Sequence, residues 1–233
     1  MTKIGLIKKI LILVFILIMP GFLYYLLTVK GKNRYHSLPI YGEKIVAKTT
    51  HQKQGKDIPD TIYHTLGDFK LTDQSGRPVS LKTFDGKIFV AGFFYTHGPA
   101  ICNTINSYID SLAENYAKNK MVYFASVTVD PMRDSVKVLD RYSKRFSAYG
   151  PKWLFLTGDT TTIYHLARNG LLIDALDAGN GNFIFSDKLV LVDSHKRIRG
   201  YYKGASLADV TRLNDEIKVL IQEELLNREE PLY

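Results

Sequence analysis

Ile88–Tyr95, IFVAGFFY, is a continuous apolar run of β-branched and aromatic residues, unbroken by polar ones. A run of this kind is a strand covered on both faces of a sheet, which makes it the candidate central strand. Thr96-His97-Gly98-Pro99 then supplies turn chemistry, and Ile101, Ile105, Ile109 and Leu112 recur at helical spacing. Pro99 suits a first helical position, so Cys102, the only cysteine among 233 residues, falls in the first turn of a helix. Backbone N–H groups and the positive end of the helix dipole favour a thiolate there. The plainer alternative is packing, because free cysteines are among the most often buried residues.

The surrounding pattern predicts an α/β sandwich. Leu66–Val79 reads as a hairpin turned at Asp73–Gly76, and Asp85-Gly86 leads into the central strand. Met121–Val129 is a second buried strand ending at Asp130-Pro131, followed by a helix over Ser135–Ala148 with Asp134 as its cap. Trp153–Thr157 is a third strand, Thr160–Asn169 a helix, and Lys188–Asp193 with Ile198–Tyr202 a hairpin turned at Ser194–Arg197. Ser206–Leu226 closes the domain as an amphipathic helix capped by Ser206. Strand–helix alternation followed by a hairpin and a terminal helix is the order of a thioredoxin-like sandwich with a mixed central sheet. A flavodoxin-like doubly wound sheet is the alternative, disfavoured because the last two strands are joined by too few residues to run parallel.

The N-terminal part has a different character. Ile10–Val29 holds twenty residues without a charge, the length an α-helix needs to cross a bilayer, and predicts a transmembrane anchor after a short tail of residues 1–9. A cleaved signal peptide fits less well, since the run exceeds an h-region of about 7–15 residues and no small-x-small site follows. Residues 30–60 are polar and basic and are expected to form a weakly structured stalk, with the folded domain over residues 61–228 and a short tail at 229–233. The net charge of +8 divides unevenly: residues 1–56 carry ten Lys/Arg and one acid, while residues 57–233 carry 21 and 22. A nucleic-acid-binding domain would need its positive charge on the globular part, so that class is excluded. Lysines and arginines flank the span on both sides, and a short N-terminal tail ahead of a signal anchor places the domain on the extracytoplasmic, periplasmic side. A single cysteine rules out an internal disulfide framework.

Several separated stretches resemble one family. Gly67-Asp68-Phe69 with its turn, Phe93-Phe94-Tyr95-Thr96, Val127-Thr128-Val129-Asp130-Pro131-Met132-Arg133-Asp134-Ser135, Tyr142–Phe146, Leu189–Asp193 and Ile198–Tyr202 together are similar to the Sco/SenC proteins. These are membrane-anchored, thioredoxin-fold copper chaperones of cytochrome c oxidase assembly. The resemblance implies a copper site made of two cysteines with three residues between them, each often followed by proline, and a distant histidine. Gly98 stands at the first cysteine position, followed by Pro99; Cys102 matches the second, with Asn103 in place of its proline; and Phe185 occupies the histidine position. Asp130, near the family site, is retained. Soft Cu(I) needs thiolates and Cu(II) needs several held nitrogen or sulfur donors, so two of the three implied ligands are missing. Without a second cysteine there is also no resolving thiol for disulfide exchange.

Three functions compete on these residues. The first is a membrane accessory of respiratory oxidase assembly or copper homeostasis, not an enzyme, with a degenerate copper site and an oxidase subunit or another assembly factor as partner. The second is a working chaperone with copper on a rebuilt Cys102/His97 site. The third, a one-cysteine thiol peroxidase, lacks the expected Pro-x-x-x-Thr-x-x-Cys arrangement, since Thr96 lies six residues before Cys102. The remaining histidines, His36, His51, His64, His165 and His195, are expected to be structural or solvent-facing.

Overall fold

The computed structural model describes residues 3–26, 37–53, 56–147, 150–179 and 183–229. They fall into two compact units, Met1–His36 and Ser37–Tyr233. In the first, helix α1 (Lys3–Tyr25) carries apolar side chains that are exposed from Ile12 to Tyr25. Residues 27–29 of the expected span lie outside the described residues, and among the described residues no helix is long and apolar enough to cross a membrane.

The second unit is built on a five-stranded mixed sheet. Its strands are β5 (Ile88–Phe94), β6 (Val122–Thr128), β7 (Trp153–Leu156), β10 (Lys188–Val192) and β11 (Ile198–Lys203), in the order β11-β10-β5-β6-β7. β5, β6 and β7 are parallel, whereas β10 runs antiparallel to both β5 and β11. This is the expected thioredoxin-like order, and β5 is central with all seven residues buried. Its side chains alternate between two cores. Phe89, Ala91 and Phe93 face one, with Leu71, Val79 and Ile163; Ile88, Val90 and Phe94 face the other, under α2 (Ala100–Asn115), α3 (Val136–Ser143) and α5 (Leu207–Glu229). A strand sandwiched this way has no solvent face, which is why its sequence shows no alternation.

Around this sheet sit a hairpin of β3 (Lys70–Thr72) and β4 (Pro78–Ser80), the short helix α4 (Thr160–His165) with a wider turn over Leu166–Gly170, and a hairpin of β8 (Ala175–Asp177) and β9 (Phe183–Phe185). The terminal helix begins as expected: the Asp209 N–H donates to Ser206 Oγ over 3.4 Å.

Three expectations need correction. The stalk is not weakly structured over its whole length, because β1 (Lys44–Lys53) and β2 (Lys56–Tyr63) pair as an antiparallel hairpin with Ile45 opposite Ile62 and Val46 opposite Thr61. The β-branched residues of these strands outweigh the polar composition. Ahead of it, residues 37–41 are docked on the domain: Tyr41 N–H donates to Ile198 O over 2.9 Å, and Arg199 reaches Pro39 O and Leu38 O over 3.2 and 2.7 Å. Helix α3 is shorter than expected and its N-cap is Ser135, because Asp134 is spent elsewhere. Pro99 is likewise the N-cap residue of α2, one place before the helix.

Candidate metal centre

β5 delivers its chain to the turn at Thr96–Pro99, and α2 returns beneath it, which brings Gly98 and Cys102 face to face. A Cβ built on Gly98 would lie 2.5 Å from Cys102 Sγ and 2.9 Å from Tyr95 O. No side chain fits position 98 without displacing the sulfur, so glycine and buried thiol form one packing unit. Cys102 is 1% exposed and belongs to the core beneath α2 and α5. Its position in the first helical turn holds, with its N–H donating to Pro99 O over 2.9 Å, and of the two readings of this cysteine, favoured thiolate or buried packing, the burial supports packing. Burial pushes the thiol pKa up; hydrogen bonds from the backbone of Tyr95 and of Cys102 itself oppose it less strongly, and the Asp134 carboxylate adds a small upward push.

Phe185 lies on β9, half-buried, its ring 5.9 Å from that of Tyr95, with Phe183 at 5.1 Å. Edge-on aromatic packing therefore stands where the resemblance puts a histidine. Tyr95 also touches both cores, and its hydroxyl pKa is raised by burial first, then by the proximity of Cys102 and Asp130.

The carboxylates are held by the protein. Asp130 is buried, its N–H donates to Thr128 Oγ1 over 3.0 Å, and its carboxylate lies 3.7 Å from Arg133 Nε. Asp134, 1% exposed, accepts from Thr96 N–H over 3.0 Å, from Thr128 Oγ1 over 2.5 Å and from the Thr96 hydroxyl. It ties the end of β6 to the loop after β5. Its role was hidden in the sequence, where an acid just before a helix looks like a cap. His97 is exposed, Pro99 is exposed, and the His97 ring is linked to Thr96 Oγ1 by a 3.0 Å contact through Nδ1.

Elsewhere, the donor atoms of Asp193, His195 and Glu224 lie within 4.8 Å of one another. Asp193 is already saturated by Arg197 and Arg199, at 2.8 and 3.2 Å, and Glu224 accepts from Ser194, so the group is a structural knot. Of the other histidines, His64 is half-buried and bonded to Gly170 O at 2.8 Å, and His165 and His195 are exposed. His36 and His51 lie where no side chain is described.

The SCO1/SenC family model matches residues 59–222. The chain belongs to the SCO1/SenC family. A curated relative, the SCO1 protein homolog of Bacillus subtilis, is 30% identical over 105 residues, covering 45% of this chain and 54% of its own, so the chain spans about half the length of that relative. Among solved structures, a SCO1/SenC family lipoprotein from Bacillus anthracis superposes with a TM-score of 0.63 at 25% identity over 68% of this chain and 95% of its own. Arabidopsis thaliana ScoI, solved with copper bound, gives 0.58 at 25% identity over 68% and 99%. At the ligand positions that the resemblance implies, Gly98 has no side chain and Phe185 offers a phenyl ring, which is not a donor for copper, while the Cys102 thiol is buried with its pKa raised. Among the described residues no buried side-chain nitrogen or oxygen lacks a hydrogen-bond partner.

Proposed function

We propose that this protein is a membrane-anchored Sco/SenC accessory of respiratory oxidase assembly or copper homeostasis, with its domain on the extracytoplasmic side, that acts by binding a partner and has lost copper exchange. The observation that carries this reading is the sealed cysteine: Cys102 Sγ is packed against the backbone at Gly98, and Phe185, where the resemblance implies a third ligand, packs its ring against Tyr95. Membership of a family tied to oxidase assembly and copper handling supports the setting. The uncharged run Ile10–Val29 supports the anchor. A buried, protonated thiol also speaks against peroxidase turnover, which needs an exposed thiolate.

Competition for Cu(I) against a chromophoric chelator, on the full chain in detergent, tests the reading. The expected result is no metal withdrawn from the chelator and the same trace for Cys102→Ala. Tight Cu(I) binding that disappears in Cys102→Ala, and in His97→Gln, would overturn it in favour of a rebuilt Cys102/His97 chaperone site.

A further inference from the structure

Two residues of the loop after β5, Thr96 and His97, are chained to Asp134, which comes from the loop after β6. Asp134 is buried at 1% exposure, and its carboxylate receives the Thr96 N–H over 3.0 Å and the Thr128 hydroxyl over 2.5 Å, as well as the Thr96 hydroxyl. Thr96 Oγ1 in turn lies 3.0 Å from His97 Nδ1. A hydroxyl has one hydrogen and two lone pairs, whereas an ionised carboxylate only accepts. The Thr96 hydrogen is committed to Asp134, where the bond is charge-assisted. The contact with His97 then works only if Nδ1 carries a hydrogen and donates it to Thr96 Oγ1.

We infer that Asp134 and Thr96 are positioning residues that fix His97 as its Nδ1–H tautomer and turn Nε2 into a bare electron pair on the open side of the loop. Nε2 has no hydrogen-bond partner among the described residues, and the ring is exposed. A neutral histidine whose one nitrogen donates to an oxygen presents the other as an acceptor. The loop beside Gly98 therefore suits a docked group that donates a hydrogen to Nε2, and rejects one that would need a hydrogen from it. This holds whether or not Cys102 ever meets copper, because it concerns a nitrogen on the outer side of the loop and a carboxylate beneath it.

The test is the nitrogen spectrum of the full chain labelled with 15N-histidine, recorded in detergent at about pH 8.5, where histidine side chains are ordinarily neutral. The His97 pair is assigned by its loss in His97→Gln. The expected result is a protonated, pyrrole-type Nδ1 and an unprotonated, pyridine-type Nε2 at His97. Thr96→Ser keeps the hydroxyl and should keep that pattern; Thr96→Val keeps the shape without the hydroxyl and should move the hydrogen to Nε2. A wild-type His97 with its hydrogen on Nε2, or a Thr96→Val spectrum indistinguishable from wild type, overturns the inference. Thr96→Val gives up the hydroxyl bond to Asp134 but leaves the backbone N–H bond of the same residue in place, and Thr96→Ser, which keeps both, is the control for that loss.

Discussion

At the scale of single residues, the cysteine and the glycine opposite it govern what the loop can do. The Cys102 thiol is raised above its ordinary value by burial, so the folded chain keeps that proton at a pH where the unfolded chain has released it. The native state therefore has the full benefit below about pH 8.5, the unfolded thiol value, and loses it as pH rises through the folded one. Denaturant unfolding of wild type and Cys102→Ala from pH 7 to pH 10 should show the wild type losing stability more steeply in the upper half of the range; parallel curves would contradict the burial argument. Gly98→Ala brings a Cβ to within 2.5 Å of Cys102 Sγ. Overpacking of this kind costs about 1–3 kcal/mol. The same variant combined with Cys102→Ala should recover part of that loss, because the offending sulfur is gone; urea midpoints of the three variants check it.

At the scale of elements, two hairpins are turned by one device. Asp73 accepts from the N–H groups of Ser75 and Arg77 and from Arg77 Nε, at 2.8, 2.9 and 2.8 Å; Asp193 accepts from those of His195 and Arg197 and from Arg197 Nε, at 3.0, 2.9 and 2.8 Å. The left-handed residue of the first turn is Gly76, at φ +78°, and of the second Lys196, at φ 65°. Lysine is tolerated there because its ammonium reaches across to Phe84 O and to Asp85 at 3.3 Å. The turns differ in their burden. Asp73 pairs with an arginine that is mostly exposed, whereas Asp193 also neutralises the buried Arg199 at 3.2 Å. Removing one partner of a buried ion pair costs about 3–5 kcal/mol, so Asp193→Ala should approach that loss in denaturant unfolding and Asp73→Ala should fall well short of it.

At the scale of the whole domain, Arg199 joins three distant parts of the chain. It donates to Leu38 O and Pro39 O before the β1–β2 hairpin, to Asp193 at the sheet turn, and to Glu223 on α5 at 2.6 Å. Glu223 completes the ring by accepting from Leu38 N–H over 2.7 Å. This fork cannot be copied by an ammonium, which has three donors from a single nitrogen. Arg199→Lys should therefore keep the charge yet free residues 37–41, seen as faster cleavage before Lys44 in limited proteolysis with the sheet still protected. Unchanged cleavage would mean that Tyr41, paired with Ile198 and packed edge-on to Tyr201 at 5.3 Å, holds the segment alone.

The sequence by itself determined the sandwich, because a strand buried on both faces cannot alternate and Ile88–Phe94 does not, and because a four-residue turn between Asp193 and Ile198 forces two strands antiparallel. It also carried the expectation that two of the ligands implied by the resemblance are missing, since neither Gly98 nor Phe185 has a side-chain donor for a metal. Other features depended on contacts between residues far apart in the chain. The direction of the Cys102 sulfur was set by what packs over α2, and helix position alone had pointed to a thiolate. Asp134 lay where a cap belongs, and only the approach of the loop carrying Thr96, 38 residues away, drew its carboxylate from α3. The Ser37–Tyr41 segment had the composition of a linker until Arg199, about 160 residues on, supplied donors to its carbonyls. Local pattern fixes which face of an element is buried; which polar groups are satisfied by one another is decided when the elements meet.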